Sequence, residues 1–211
     1  MKAFIFDMDG VLIDTEPMWT EAKPDLYQEV FGQDMYAKIG NPIGLGIDTL
    51  YELAAVKGST VSRQTLVDAF HSRAPHIYQT APITPGLDRL VDELKSRGYR
   101  LGIVSASPKS WIKILFKRLP FAREFDVVLS LQERADLPHK PEPHGYLEAM
   151  KDLGAIPAET IILEDSNTGI AAAKASGGFT IGLRENLMPG EEQTGADAYA
   201  DTIDDVIKML K

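Results

Sequence analysis

The 211-residue chain has no cysteine. Disulfides, thiolate metal sites and cysteine nucleophiles are therefore excluded. Positive charge is also scarce: 22 Lys and Arg face 31 Asp and Glu, for a formal net charge of −9. Broad contact with nucleic acid or an anionic membrane needs clustered Lys and Arg, so neither partner is expected. A local anion site stays open, because a bound divalent cation can reverse the sign of a small region. Long apolar runs are missing too; none approaches the ~20 residues that span a bilayer. The opening Met-Lys-Ala-Phe-Ile-Phe-Asp has an apolar stretch too short for a signal h-region. The expectation is a soluble, cytoplasmic protein, monomeric because no long heptad or apolar surface stripe is evident.

The chain does contain short apolar runs of strand length. They are Ala3–Phe6, Leu101–Val104, Val127–Leu129, Ile161–Leu163 and Thr180–Leu183. Amphipathic helical stretches lie between them, at Leu87–Arg97, Lys109–Lys117, Pro143–Leu153, Gly169–Ala175 and Ile203–Leu210. Continuous apolar strands alternating with helices predict a parallel sheet covered on both faces. Residues 15–82 break this rhythm. They carry helical patterns near Met18–Phe31, Ile47–Val56 and Ser62–Tyr78, with no convincing strand. Pro24 is expected to break or kink the first of these, and Asn41-Pro42-Ile43-Gly44 reads as a turn or loop. The predicted fold is α/β: a Rossmann-like, three-layer core from residues 1–14 and 83–211. An all-α unit, 15–82, is inserted after the first strand.

In open parallel sheets, ligands sit beyond the carboxyl ends of the strands. The first apolar run ends in Asp7-Met8-Asp9-Gly10 and the second in Ser105-Ala106-Ser107-Pro108. The fourth ends in Glu164-Asp165-Ser166-Asn167-Thr168-Gly169, and Lys140-Pro141 lies in the loop after the third. Taken singly, several of these have an ordinary explanation. Asp165 or Ser166 would cap the next helix, Ser107-Pro108 fits an N-cap followed by Pro at N1, and an isolated Lys140 is a solvated surface lysine. The pair Asp7 and Asp9 is harder to dismiss, since two carboxylates at the end of a buried strand repel each other and resist desolvation. A cation resolves that conflict.

Oxygen ligands without soft ones point to Mg²⁺. Asp7 and Asp165 are the candidate direct ligands, with Glu164 direct or through water and Asp9 through its carbonyl. A carboxylate can also act as the nucleophile in phosphoryl transfer. In that chemistry Asp7 attacks phosphorus while Lys140 and the cation neutralise its oxygens. Asp9, two residues on, protonates the leaving alkoxide and then deprotonates the hydrolytic water. Gly10 permits a sharp turn. Ser105, the Met8 amide and the adjoining Ala106 form the candidate phosphate cradle.

Four segments in register resemble the haloacid dehalogenase superfamily of phosphohydrolases. They are Asp7-Met8-Asp9-Gly10-Val11, Ser105-Ala106-Ser107, Lys140-Pro141 and Glu164-Asp165-Ser166-x-x-Gly169. The resemblance implies a Mg²⁺-dependent phosphatase with an aspartyl-phosphate intermediate and a small phosphorylated metabolite, such as a sugar phosphate, as substrate. It implies that the insertion is a C1-type cap that closes over the site and sets specificity. Glu16, Trp19, Asn41 and Leu45 are the candidate substrate residues; Trp19 as a packing residue and Glu16 as a solvated acid are the plainer alternatives. Retention of Asp9 sets aside dehalogenation. A phosphomutase of the β-phosphoglucomutase type is the rival, disfavoured because no arginine occurs in Ile39–Asp48. A non-catalytic phosphate-binding module ranks last, because Asp7, Asp9, Lys140 and Asp165 are all present. His71, His76, His139 and His144 are given no role, since Asp9 already supplies the acid and base.

Overall fold

The computed structural model describes residues 2–40, 42 and 46–210. Two compact units result: Met1–Thr15 with Ala81–Lys211, and Glu16–Thr80. No helix among the described residues is long and apolar enough to cross a membrane.

The first unit is built on a six-stranded parallel sheet. Its strands are β1 (Ala3–Phe6), β2 (Arg100–Ser105), β3 (Phe125–Ser130), β4 (Thr160–Glu164), β5 (Phe179–Leu183) and β6 (Ala198–Ala200). The order is β3-β2-β1-β4-β5-β6, so β1 is central and the chain reverses direction of growth beside it. That reversal opens a crevice at the carboxyl ends of β1, β2 and β4. Every side chain of β1 is buried, as a strand covered on both faces requires. The register sets Phe6 beside Ile103 on one side and Leu163 on the other. The next residues, Asp7 and Glu164, therefore emerge at one level.

Alternation along the strands decides which side chains meet. Ala3, Ile5, Val104 and Ile162 share a core cluster with Tyr146, Ala149, Met150 and Leu153 of α7 (His144–Leu153) and with Ala172 and Ala173 of α8 (Asn167–Ala175). Phe6 lies edge-on to Phe125 at 5.6 Å, and Phe116 of α6 (Lys109–Phe116) stacks on Phe125 at 5.8 Å. A two-residue period carries Asp7 to the face of Ile5, and Glu164 to the face of Ile162. Both acids thus point toward α7. Gly145 allows the close packing of α7: a Cβ there would lie 2.7 Å from Leu131 Cδ2. Helices α5 (Leu87–Ser96) and α9 (Ile203–Met209) complete the unit.

The second unit is helical: α1 (Glu16–Phe31), α2 (Gln33–Ile39), α3 (Ile47–Val56) and α4 (Arg63–Thr80). Of the break or kink expected at Pro24, the break does not occur: helix α1 continues through it. Leu26 and Tyr27, just past the proline, are buried, so tertiary packing offsets the lost backbone bond. Helix α2 was not expected from the sequence. Most of the Asn41–Gly44 turn lies outside the described residues.

Candidate active site

A largely buried charge cluster lies at the carboxyl edge of β1 and β4. Asp7 is 7% exposed and Glu164 is fully buried. The Lys140 ammonium donates to Asp7 Oδ1 at 2.5 Å, to Glu164 Oε1 at 2.6 Å and to the Val104 carbonyl at 3.3 Å. Its three protons are thereby directed. Asp7, Glu164 and Asp165 each offer a carboxylate oxygen within 4.8 Å of the others. Three acids facing one lysine leave a surplus of negative charge in a poorly solvated place.

The electrostatic consequences follow. Burial, opposed by Lys140 and assisted by Glu164 and Asp9, raises the Asp7 carboxyl to about 7. Burial and the neighbouring Glu164 and Asp7 carboxylates hold Asp165 well above the usual carboxylate range. Burial works against the charge on Lys140, but Asp7 and Glu164 outweigh it and keep the amine firmly protonated. An all-oxygen donor set with surplus negative charge fits a hard divalent cation.

Glu164 is held from every side. Its Oε1 accepts from Lys140 and, at 2.7 Å, from the Tyr146 hydroxyl. Its Oε2 accepts from the amides of Asp165 (3.1 Å) and Ser166 (3.2 Å) and from Ser166 Oγ (3.2 Å). Direct coordination of a metal by Glu164 would have to displace one of these donors, whereas Asp7 and Asp165 are less encumbered. Ser166 also caps α8, accepting from the Gly169 amide at 3.0 Å. The expected cap of this helix is thus the Ser166 hydroxyl, which also donates to Glu164 Oε2. Gly169 is needed for space, since a Cβ there would lie 1.8 Å from Glu164 Oε1.

The other predicted residues surround the same edge. Asp9 accepts from Thr15 Oγ1 at 2.8 Å and from Ser107 Oγ at 2.7 Å, one hydroxyl on each carboxylate oxygen. Ser105 is buried, and its hydroxyl accepts the Ser107 amide at 3.0 Å. Gly10 turns with φ +79°, and a Cβ would lie 1.9 Å from Asp165 Oδ2, so glycine is required on both counts. Met8 has its side chain fully buried, while its carbonyl accepts from the amide of Leu12 at 2.8 Å. A cavity of about 320 Å³ is lined by Asp7, Asp9, Ala106, Lys140, Asp165 and Ser166, together with His139 and Thr168.

Some contributors carry no motif in the sequence. His139 lines the cavity although it was given no role. Tyr146 and Gln193 were not singled out. Gln193 Nε2 donates to the Asp165 carbonyl and, at 2.7 Å, to Leu183 O, tying the segment after β5 to the acid loop. Only helical position 146, at the buried face of α7, gave any hint in advance, and a buried tyrosine there reads equally as core.

In the helical unit, Trp19 is 6% exposed and packs on Phe70 at 5.3 Å between ring centres. Glu16 accepts from Lys23 at 3.0 Å. Asn41 and Leu45 lie outside the described residues.

A family model described as haloacid dehalogenase-like hydrolase matches residues 4–183. Hexitol phosphatase B of Escherichia coli (strain K12) is 34% identical over 196 residues, covering 90% of this chain and 84% of that protein. The phosphorylated carbohydrates phosphatase of Thermotoga maritima is 30% identical over 206 residues, covering 95% of this chain and 93% of that one. Among solved structures, CbbY from Rhodobacter sphaeroides in complex with phosphate superposes with a TM-score of 0.76 at 22% identity, over 98% of this chain and 96% of that one. At that identity the superposition speaks for the fold.

Proposed function

The chain belongs to the haloacid dehalogenase-like hydrolases, and from that premise we propose that it is a Mg²⁺-dependent phosphatase of a small phosphorylated carbohydrate, with Asp7 as nucleophile. The observation that carries the reading is the buried contact of Asp7 with Lys140 inside a three-carboxylate cluster. The names of the two phosphatase relatives support the substrate class.

In the proposed reaction the Asp7 carboxylate attacks phosphorus, and the bond from phosphorus to the ester oxygen breaks. Asp9 gives its proton to the departing alkoxide. A water then attacks the aspartyl-phosphate, Asp9 takes back a proton, and inorganic phosphate leaves with Asp7 restored. Asp7 and Asp165 would hold the cation, which when bound would neutralise charge at the phosphoryl oxygens. Lys140 contributes to the same neutralisation, and the Ser105 hydroxyl and the Met8 amide donate to the phosphoryl group. Ser107 and Thr15 hold Asp9 beside the cavity. The helical unit is the proposed cap, and its residues the proposed source of specificity.

The test is release of inorganic phosphate from a panel of phosphorylated sugars and sugar alcohols, with and without Mg²⁺. Release by the wild type, abolished by chelation and by Asp7→Asn, is the expected outcome. Undiminished release by Asp7→Asn would remove Asp7 as nucleophile. Isomer exchange by ³¹P NMR with negligible free phosphate would replace the phosphatase by a mutase.

A further inference from the structure

We propose that Tyr146 is a positioning residue that fixes the direction of the Lys140 ammonium by occupying half of the Glu164 acceptor oxygen and by walling off Lys140 with its ring. The inference rests on the phosphate-binding role given above to Lys140.

Tyr146 sits at the buried face of α7 and is 1% exposed. Its hydroxyl donates to Glu164 Oε1, the same oxygen that accepts from Lys140. A carboxylate oxygen has two in-plane acceptor directions. With Tyr146 in one of them, Lys140 is confined to the other, on the side of Asp7. The tyrosine ring adds a second restraint, because Lys140 Nζ lies 5.2 Å from the ring centroid, within range of a cation–π contact. The ammonium therefore has a narrow arc, between Glu164 and Asp7, in which all three protons are used. Its contact with the Val104 carbonyl, at 3.3 Å the longest, is the one a phosphoryl oxygen would replace most easily.

The other end of Glu164 shows that the carboxylate itself does not shift to compensate. Oε2 is gripped by the Asp165 and Ser166 amides and by Ser166 Oγ, and Gly169 leaves no slack beside Oε1. Removing the tyrosine hydroxyl thus frees one acceptor direction on a fixed oxygen. Lys140 can then swing toward Glu164 and away from Asp7. Both Glu164 oxygens are already engaged by protein donors, so Asp7 and Asp165 rather than Glu164 would hold the cation, and Mg²⁺ binding should be almost indifferent to the change. A tyrosine that merely satisfied its own burial would leave both ligands unaffected.

The experiment compares wild type, Tyr146→Phe and Tyr146→Leu by isothermal titration, first with Mg²⁺ alone and then with inorganic phosphate on the Mg²⁺-loaded protein. Tyr146→Phe keeps the ring and should raise the phosphate Kd about tenfold, the low end for losing a hydrogen bond to a charged group, with the Mg²⁺ Kd unmoved. Tyr146→Leu, lacking ring and hydroxyl, should raise the phosphate Kd further. Circular dichroism establishes that each variant is folded, and Tyr146→Phe is the variant that decides if the leucine form is not. An unchanged phosphate Kd in Tyr146→Phe overturns the proposal, as does a Mg²⁺ Kd that rises in step with it. Wild type that binds phosphate without hydrolysing any ester, while Tyr146→Phe still weakens phosphate, would overturn the phosphatase reading alone. Wild type that binds no phosphate overturns the positioning proposal, and the phosphatase reading then stands or falls on phosphate release.

Discussion

Gly169 shows how much one missing methyl group can decide. A Cβ at this position would stand 1.8 Å from Glu164 Oε1, so alanine cannot be accommodated unless the carboxylate leaves its bonds to Lys140 and Tyr146. Glu164 is fully buried, and a buried charge deprived of its partner costs about 3–5 kcal/mol. Gly169→Ala is expected to lower stability by an amount of that order and to reduce phosphate release at least a hundredfold. Gly154 provides the contrast. It caps α7 with φ +65°, and among the described residues nothing lies within 4 Å of its notional Cβ. Gly154→Ala should cost only about 1 kcal/mol, the ordinary strain of a left-handed non-glycine residue, with turnover intact. Thermal melts and initial rates on the two variants check this. Equal losses of activity in both would show that general destabilisation, not the Glu164 pocket, is responsible. The reading of Gly169 as part of a motif was available from the sequence; the reason for it was not, because a close approach between a helix turn and a neighbouring carboxylate leaves no trace in composition or periodicity.

At the scale of elements, legibility tracked the length and continuity of apolar patterns. Strands β1 to β5 lie within one or two residues of the expected runs, because each contains a continuous run of branched or large apolar residues, fully buried in β1 and only partly so in β3. Strand β6 escaped notice: it is Ala-Tyr-Ala at the sheet edge and only Ala200 is buried. Helix α2 escaped for a similar reason, with Ile39 as its sole buried residue. The segment after β5 offered no pattern either, and yet it reaches the site. Gln193 is 7% exposed, and its buried Oε1 has no hydrogen-bond partner among the described residues. Its Nε2 meanwhile holds the Asp165 and Leu183 carbonyls. An orphaned acceptor is a cost of about 1–3 kcal/mol, tolerated where the other end of the amide fixes something. What it fixes is the backbone of a proposed metal ligand. Gln193→Leu removes the orphan together with the two donor bonds. The expected result is a small change in melting temperature and a Mg²⁺ Kd weakened about tenfold, as for other outer-shell partners. A Mg²⁺ titration settles it; an unaltered Kd would assign Gln193 to packing of the β5 segment alone.

For the whole molecule, the site can be regarded as an electrostatic debt carried by the fold until a cation arrives. Two of the four loops stood out because they place acids where a buried strand ends, and a chain of net charge −9 has few cations with which to answer them. Lys140 answers in part. The raised position of Asp7, at about 7, measures what remains, burial being the first cause. The sign follows from linkage. A carboxyl whose folded-state pKa lies above its unfolded value binds its proton more tightly when folded. Its favourable contribution is full below the unfolded value near 4 and is lost as pH rises through about 7. The metal-free protein should therefore lose stability between pH 4 and 7 on account of Asp7. Asp165, held high by burial and by Glu164, acts in the same direction. A divalent cation binds the ionised carboxylates, so it competes with those protons. With Asp7 alone titrating near 7, apparent Mg²⁺ affinity should fall about tenfold from pH 8 to pH 6, and more steeply if Asp165 joins. Stabilisation by Mg²⁺ should widen as pH rises from 6 to 8, since the cation restores what ionisation takes away. Calorimetric titrations at pH 6, 7 and 8 in buffers of different ionisation enthalpy would count the protons released, and melting curves with and without Mg²⁺ would follow the gap. A Kd that is flat from pH 6 to 8, with no proton released, would mean that Asp7 is already ionised in the metal-free protein and that Lys140 alone suffices to hold its charge.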